Sequence, residues 1–340
     1  MKKILVIGGA GYLGAQLCQQ LLDAGYAVKS VDAEWFGEMG PNRLREYPAY
    51  ERVKLDIRQI ATLPHIVRGC DAVIHLAGIV GDPACAIDED FTYSCNFLST
   101  VTLANVCKRA GIRRFLFASS CSVYGKTEEP MVHERSGTNP LSLYARDKLM
   151  CEAALMAMHD DTFSPTMLRL STLFGWSPRM RFDLVVNLLT ARAAHGATLE
   201  IHGGSQWRPF VHVNDAAAAF VAALTAPLAD VSGQIFNVGA ASNNHRIIDV
   251  ARAIHDSHPG TEITIIPQMI DERDYSVSFD KIETTLGYRA RVDLRQGIGE
   301  MLAQLAAHGP MNLLQPCFSN VKRTQEVFSV HAQSLELQTA

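Results

Sequence analysis

Tyr144 and Lys148 stand four residues apart in Tyr144-Ala145-Arg146-Asp147-Lys148, one helical turn, so both side chains lie on the same face of a helix. An ammonium group near a phenol favours the phenolate, which would suit Tyr144 to take a proton from a sugar hydroxyl. Ser120 ends the run Phe115-Leu116-Phe117-Ala118-Ser119-Ser120 and offers a hydroxyl to the oxygen that becomes a carbonyl. Hydride must leave the same carbon, and no side chain accepts it. A nicotinamide does, with Lys148 placed to hold its ribose. On its own, a Tyr and a Lys at this spacing are ordinary surface residues of an amphipathic helix, so the elements around them must decide.

The first of those elements is Lys3-Ile4-Leu5-Val6-Ile7-Gly8-Gly9-Ala10-Gly11-Tyr12-Leu13-Gly14, an apolar strand running through a glycine turn into a helix. Gly8 permits the tight turn, Gly11 lets backbone N–H groups approach a pyrophosphate, and Gly14 lets the helix pack on the sheet. The helix N-terminus then faces the anion. A second strand, Ala27–Val31, ends at Asp32, whose carboxylate suits the adenosine ribose hydroxyls and would repel a 2′-phosphate, favouring NAD over NADP. Capping of the following turn is the alternative for Asp32. A third strand ends at Asp56-Ile57, with Asp56 directed to the adenine edge or serving a solvated turn.

The 340 residues are 48% hydrophobic and 19% charged, enough for one large domain plus a smaller lobe. A formal net charge of -4 gives no reason to expect a nucleic-acid or membrane surface. The cysteines at 18, 70, 85, 95, 107, 121, 151 and 317 include no CxxC pair, and the start carries no secretory pattern. Reduced thiols, a cytoplasmic protein and no metal site are the expectation. No apolar run is long enough to span a bilayer.

Short apolar strands at 3–7, 27–31, 51–55, 72–76 and 114–118 alternate with helical patterns at 12–24, 59–68 and 91–110. This βα alternation predicts an α/β fold, a Rossmann-type parallel sheet with helices on both faces. Thr166–Leu170 reads as a further strand, Phe182–Ala194 as a helix, and Ile235–Val238 as a short strand. Asn214 or Asp215 suits the cap of a helix beginning near Val213. The predicted division is a dinucleotide domain over 1–174 with parts of 213–240, a substrate lobe at about 175–212 and 240–300, and an extension at 310–340. That last segment has no clean period, and no chemistry is assigned to it.

In order along the chain come Gly8 to Gly14, Asp32, Asp56-Ile57, His75-Leu76-Ala77-Gly78, Asn96 with Ser99-Thr100, Ser119-Ser120-Cys121-Ser122-Val123-Tyr124-Gly125 and Tyr144 to Lys148. This series resembles the extended short-chain dehydrogenase/reductases of the nucleotide-sugar epimerase/dehydratase family over nearly all of residues 1–300. The resemblance implies Tyr144 as general base, Lys148 as its partner and Ser120 as substrate-oxygen donor. It implies NAD contacts from Gly8, Gly11, Tyr12, Leu13, Gly14, Asp32, Asp56, Ile57, Leu76, Ala77, Gly78 and Lys148. Arg208, in Gln206-Trp207-Arg208-Pro209-Phe210-Val211-His212, and Arg273 match diphosphate-binding positions, for which a guanidinium is well suited. A surface ion pair is the alternative for either arginine. His212 and Asp215 read as structural. The family also implies a homodimer and a nucleotide-diphosphate sugar as substrate.

Departures from the family narrow the reaction. A 4,6-dehydratase uses an acid and a base after the Ser/Thr, where this chain has Cys121 and Ser122, so elimination of water is disfavoured. Some relatives that epimerise through enolates carry a cysteine at the position of Ser122. Cys121, one residue earlier, turns to the other face of extended backbone and reads as a packed thiol. Thr172 stands where many relatives have an Asn that contacts substrate, which points to a modified hexose, a different nucleotide or a keto-sugar reductase. In Gly78 to Cys85, Asp82 or Cys85 would either face the sugar or form a structural turn. The leading expectation is a nucleotide-diphosphate hexose 4-epimerase acting through a 4-keto intermediate. A 4-keto-6-deoxyhexose reductase and a non-catalytic NAD-binding scaffold are the alternatives.

Overall fold

Leu5 and Ile7 pack on one face of the first strand, while Ile4 and Val6 pack on the other. A strand buried on both faces belongs inside a sheet covered by helices on each side. The computed structural model has that architecture and describes residues 1–267 and 273–339. Strands β1 (Lys3–Ile7), β2 (Ala27–Asp32), β3 (Tyr50–Lys54), β4 (Ala72–His75), β5 (Arg114–Ser120) and β6 (Ser164–Leu170) belong to the main sheet. A short β7 (Thr172–Phe174) follows, then β8 (Leu199–His202), β9 (Trp207–His212), β10 (Gln234–Val238), β11 (Asn244–Arg246) and β12 (Ile263–Ile266). The main sheet runs β3-β2-β1-β4-β5-β6-β10, all pairs parallel.

The helices Tyr12–Asp23 and Val213–Thr225 cover one face through Leu17, Leu21, Ala216 and Phe220. Helices Leu63–Val67, Ser99–Arg109 and Leu143–Ala157 cover the other through Leu63, Leu103 and Leu155. Each fully buried aliphatic side chain stabilises this sandwich by roughly 1.5–3 kcal/mol. Strand order reverses beside β1, whose neighbours are β2 and β4, and the crevice there is where such sheets place ligands.

The lobe is built on a three-stranded sheet, β11-β9-β7, with β8 and β12 paired separately. The chain leaves the main sheet at Ser171, between β6 and β7, and returns at the helix after β9. That helix is capped by the His212 side chain, which accepts from the Asn214 N–H at 3.3 Å. Asn214 and Asp215 therefore do not cap it. Asp215 instead accepts the N–H groups of Arg291 and Val292 at 3.0 and 2.9 Å, tying the helix to the lobe's last segment.

Three other details differ from the sequence expectation. The helix expected from Phe182 begins at Val185. The pattern at 91–110 is a helix interrupted by a π turn over Ser94–Leu98. The C-terminal segment without a clean period forms a turn at Pro316–Phe318 and a helix at Asn320–Thr339.

Candidate active site

A cleft of about 340 Å³ runs along the carboxyl ends of the main-sheet strands and into the lobe. Gly8, Gly11, Tyr12, Leu13 and Gly14 line it after β1, with Asp32 at the end of β2 and Asp56 and Ile57 after β3. Leu76, Ala77 and Gly78 follow β4. Ser120 ends β5, with Cys121 and Ser122 after it, and Thr172 follows β6. Tyr144 and Lys148 face it from their helix, and Arg208 and Arg273 from the lobe side.

The glycine turn has no room for side chains. A Cβ on Gly8, where φ is +89°, would lie 2.7 Å from the Ala77 nitrogen, and one on Gly14 would lie 2.0 Å from the Gly8 carbonyl oxygen. The backbone of β1, its turn and the β4 loop thus approach one another as an extended diphosphate ligand requires. Asp32 accepts from the Ala10 N–H at 3.0 Å and the Glu34 N–H at 2.7 Å, fixing its carboxylate at the cleft wall. Asp56 lines the cleft with its carboxylate paired to Arg58 at 2.6 Å. Arg58, which also lines the cleft, lies 4.5 Å over the Phe91 ring.

The loop after β4 is held from beneath. Asn96, within the π turn, accepts from the Ile79 N–H at 2.7 Å and donates to the Ile79 carbonyl at 3.0 Å. A π turn puts one extra residue into a helix, and such bulges recur at functional sites. Here it turns a buried amide toward the loop. Cys85 is also buried, its thiol donating to the Ile79 carbonyl at 3.3 Å, and Asp82 pairs with Arg273 at 2.7 Å. Neither is a bare sugar-facing group.

The helix bearing Tyr144 and Lys148 starts at an N-cap, Ser142, which accepts from the Ala145 N–H at 3.3 Å. Its interior is fastened to β5 and β6 by a buried polar cluster. Glu152 accepts from Ser119 at 2.5 Å and from Arg169 at 2.9 and 2.7 Å. Lys148 is buried, donates to the Ala118 carbonyl at 2.8 Å, and lies 5.7 Å from the centre of the Tyr144 ring. Burial moves both groups towards neutrality, pulling the Lys148 ammonium below its usual range and pushing the Tyr144 phenol well above its own. A hydrogen bond with Ser120 and the charge of Arg181 oppose that rise at Tyr144. Desolvation is the largest influence on the phenol in the free chain. Cys121 forms part of the cleft wall, but its thiol donates to the Arg169 carbonyl at 3.2 Å inside the core and burial pushes it up to about 12.

Arg208 donates to the Trp207 carbonyl at 2.7 Å and to that of Arg273, so backbone oxygens hold its guanidinium at the cleft. The cleft also contains residues that the motifs did not reveal: Trp35, Phe36, Arg179, Arg181, Tyr275 and Asn320. Arg179 and Arg181 flank Met180 and are both buried, a fact that the sequence Arg179-Met180-Arg181-Phe182 does not carry. Arg181 has Asp183 at 3.0 Å. Asn320 gave no local signal, because its contacts are with residues far away in sequence.

Residues 4–239 match the NAD dependent epimerase/dehydratase family. UDP-glucose 4-epimerase of Bacillus subtilis is 27% identical, over 88% of this chain and 94% of that protein. A dTDP-glucose 4,6-dehydratase of Actinoplanes is 26% identical, over 90% of this chain and 98% of that one. The crystal structure of UDP-glucuronic acid 4-epimerase from Bacillus cereus, in complex with UDP-glucuronic acid and NAD, superposes with a TM-score of 0.82 at 26% identity, covering 90% of this chain and 100% of that one. With the glycine turn, Asp32 and the Ser120, Tyr144 and Lys148 set gathered in one cleft, this chain belongs to the NAD dependent epimerase/dehydratase family.

Proposed function

We propose that the protein is an NAD-dependent 4-epimerase of a nucleotide-diphosphate hexose. The observation that carries this reading is the convergence of Ser120, Tyr144 and Lys148 on the cleft that also holds the glycine turn and Asp32. The donor set fits NAD. Backbone N–H groups at the start of the Tyr12–Asp23 helix face the place of an anion, and a fixed Asp32 carboxylate matches two ribose hydroxyls while opposing a 2′-phosphate.

Bound NAD supplies the hydride acceptor and, on return, the donor. Tyr144 takes the proton of the C4 hydroxyl as the C4–H bond breaks, leaving a 4-keto sugar. Ser120 donates a hydrogen bond to that oxygen in both directions. The keto sugar turns in the cleft, hydride returns to the opposite face, and Tyr144 gives its proton back to O4. Net redox change is zero. The raised Tyr144 pKa suits the second half, in which the phenol is the acid; Ser120 and Arg181 favour the anion that the first half needs. Arg208 and Arg273 bind the diphosphate, Arg273 exchanging Asp82 for it. Ser122 and Thr172 contact the sugar. With Cys121 turned into the core, no acid–base pair follows Ser120, so the keto sugar is not dehydrated.

The test is incubation of the purified protein with a panel of nucleotide-diphosphate hexoses, followed by NMR of C4 configuration. Inversion without added reduced cofactor is expected. Turnover that appears only with added reduced cofactor would make the protein a keto-sugar reductase, and NAD binding without turnover on any substrate would make it a scaffold.

A further inference from the structure

The Asn320–Thr339 helix begins at the wall of the dinucleotide cleft, which Asn320 lines, although no motif gave it a role. Asn320 is buried and makes three polar contacts with two separate segments. It accepts from Arg179 at 2.7 Å, donates its amide to the Val80 carbonyl at 2.9 Å, and donates its backbone N–H to Asp183 at 3.0 Å. It therefore joins the loop after β4 to the lobe segment after β7. Arg323 adds a bond to the Trp35 carbonyl in the loop after β2.

Apolar contacts seat the segment on both sides. Phe318 packs edge-on to Phe182 at 5.2 Å, and the Phe182 N–H donates to the Phe318 carbonyl at 3.0 Å. Val321, Val327 and Phe328 pack on the cluster of Ile79, Cys85 and Phe91, with Phe328 5.8 Å from Phe91. Phe91 in turn stacks on Trp35, which lines the cleft. The helix thus spans from the loop after β2 to the loop after β4, the two walls between which the reversed strand order places the ligand.

Asn320 also holds Arg179. Its guanidinium is buried, lies 3.7 Å from the centre of the Phe36 ring, lines the cleft, and keeps Nε without a partner among the described residues. Burial, reinforced by Arg181, pulls it down to about 9, the mark of a cation lacking a full complement of anions. An anionic dinucleotide in this cleft would supply what it lacks.

We infer that the C-terminal segment is a retaining strap of the cofactor site, in which Asn320 holds Arg179 on the dinucleotide and the helix closes the exit between the β2 and β4 loops. The inference rests on the NAD reading and extends it. In a redox-neutral epimerisation the cofactor need not leave between cycles, and a wall that slows its release costs no turnover. A reductase, which must exchange cofactor at every turnover, would be slowed by the same wall.

The experiment uses NAD-loaded full-length protein and measures replacement of bound NAD by labelled NAD after gel filtration, with circular dichroism as a check on folding. Truncation after Pro310 and the Asn320→Ala variant are expected to exchange at least about tenfold faster than the full chain, the effect of losing one to two buried polar contacts. Truncation after Val330 is expected to exchange like the full chain, since every contact named here lies before it. Should the longer truncation not fold, Asn320→Ala and Phe328→Ala decide. Exchange within twofold of the full chain in folded variants overturns the strap. If NAD is retained through the segment yet no sugar is inverted, only the epimerase reading fails. Sugar inversion with unaltered exchange in the variants refutes only the strap.

Discussion

Removing Glu152 should unsettle the active site from behind. The Glu152 and Arg169 side chains are each 4% exposed, and Arg169 donates to both carboxylate oxygens, at 2.9 and 2.7 Å. Ser119 donates to the same carboxylate at 2.5 Å. In Glu152→Ala the guanidinium stays buried without its counter-charge, which costs about 3–5 kcal/mol. Loss of the acceptor for Ser119 adds about 1 kcal/mol or more, though the two are not additive because they share one carboxylate. A loss of about 4 kcal/mol is the expected outcome. Replacing both partners, Glu152→Leu with Arg169→Met, removes the buried charge and should recover most of the loss. Urea unfolding followed by tryptophan fluorescence at fixed NAD concentration measures this through the midpoint. The reasoning is refuted if Glu152→Ala costs under about 1 kcal/mol, or if the double variant loses the sum of the two single losses. Because Glu152 lies one turn beyond Lys148 and Ser119 precedes Ser120, folded Glu152 variants should also show a lower kcat.

Three further outcomes are expected. Asp32→Ala should weaken NAD binding by about two orders of magnitude, through lost charge-assisted hydrogen bonds, while narrowing the gap between NAD and NADP; titration calorimetry with both cofactors checks it. Arg208→Ala should raise the KM for the nucleotide sugar about tenfold or more with NAD affinity kept, and an unchanged KM would remove Arg208 from the diphosphate site. His75 is fully buried and held neutral, its pKa pulled down to about 3 from 6.5 by burial and by Lys148. Its folded pKa is depressed, so the unfolded chain binds the extra proton first. The stability His75 contributes is complete above pH 6.5 and is lost as the pH falls towards 3. His75→Gln should reduce the slope of stability against pH between those limits by about 1.4 kcal/mol per unit, measured by urea midpoints across the range.

The central sheet was legible because its signals are local. Short apolar runs alternating with helical patterns, the spacing of Gly8, Gly11 and Gly14, and an acidic residue at the end of β2 each report on their own neighbourhood. The Tyr144 and Lys148 pair was legible for the same reason, as two residues on one turn. What escaped depends on distant partners. Asp82 pairs with Arg273, 191 residues farther along the chain, a contact that no local pattern carries. Whether the Tyr144 phenol is acidic depends on the water that folding removes, and the spacing to Lys148 does not carry that quantity. The helix after Ser319 lacks a clean apolar period because Asn320, Val321, Arg323 and Phe328 bind several different surfaces, polar and apolar, instead of one core. The π turn at Ser94–Leu98 is invisible to a 3.6-residue period that continues on both sides of it.

The rate of C4 inversion by Tyr144→Phe, set beside its NAD content, tests the account at its centre. Tyr144→Phe should lower inversion about 10²- to 10⁴-fold with NAD content unchanged, the usual cost of removing a general acid–base group. Inversion at an undiminished rate would contradict it, because the proton would then have some other carrier.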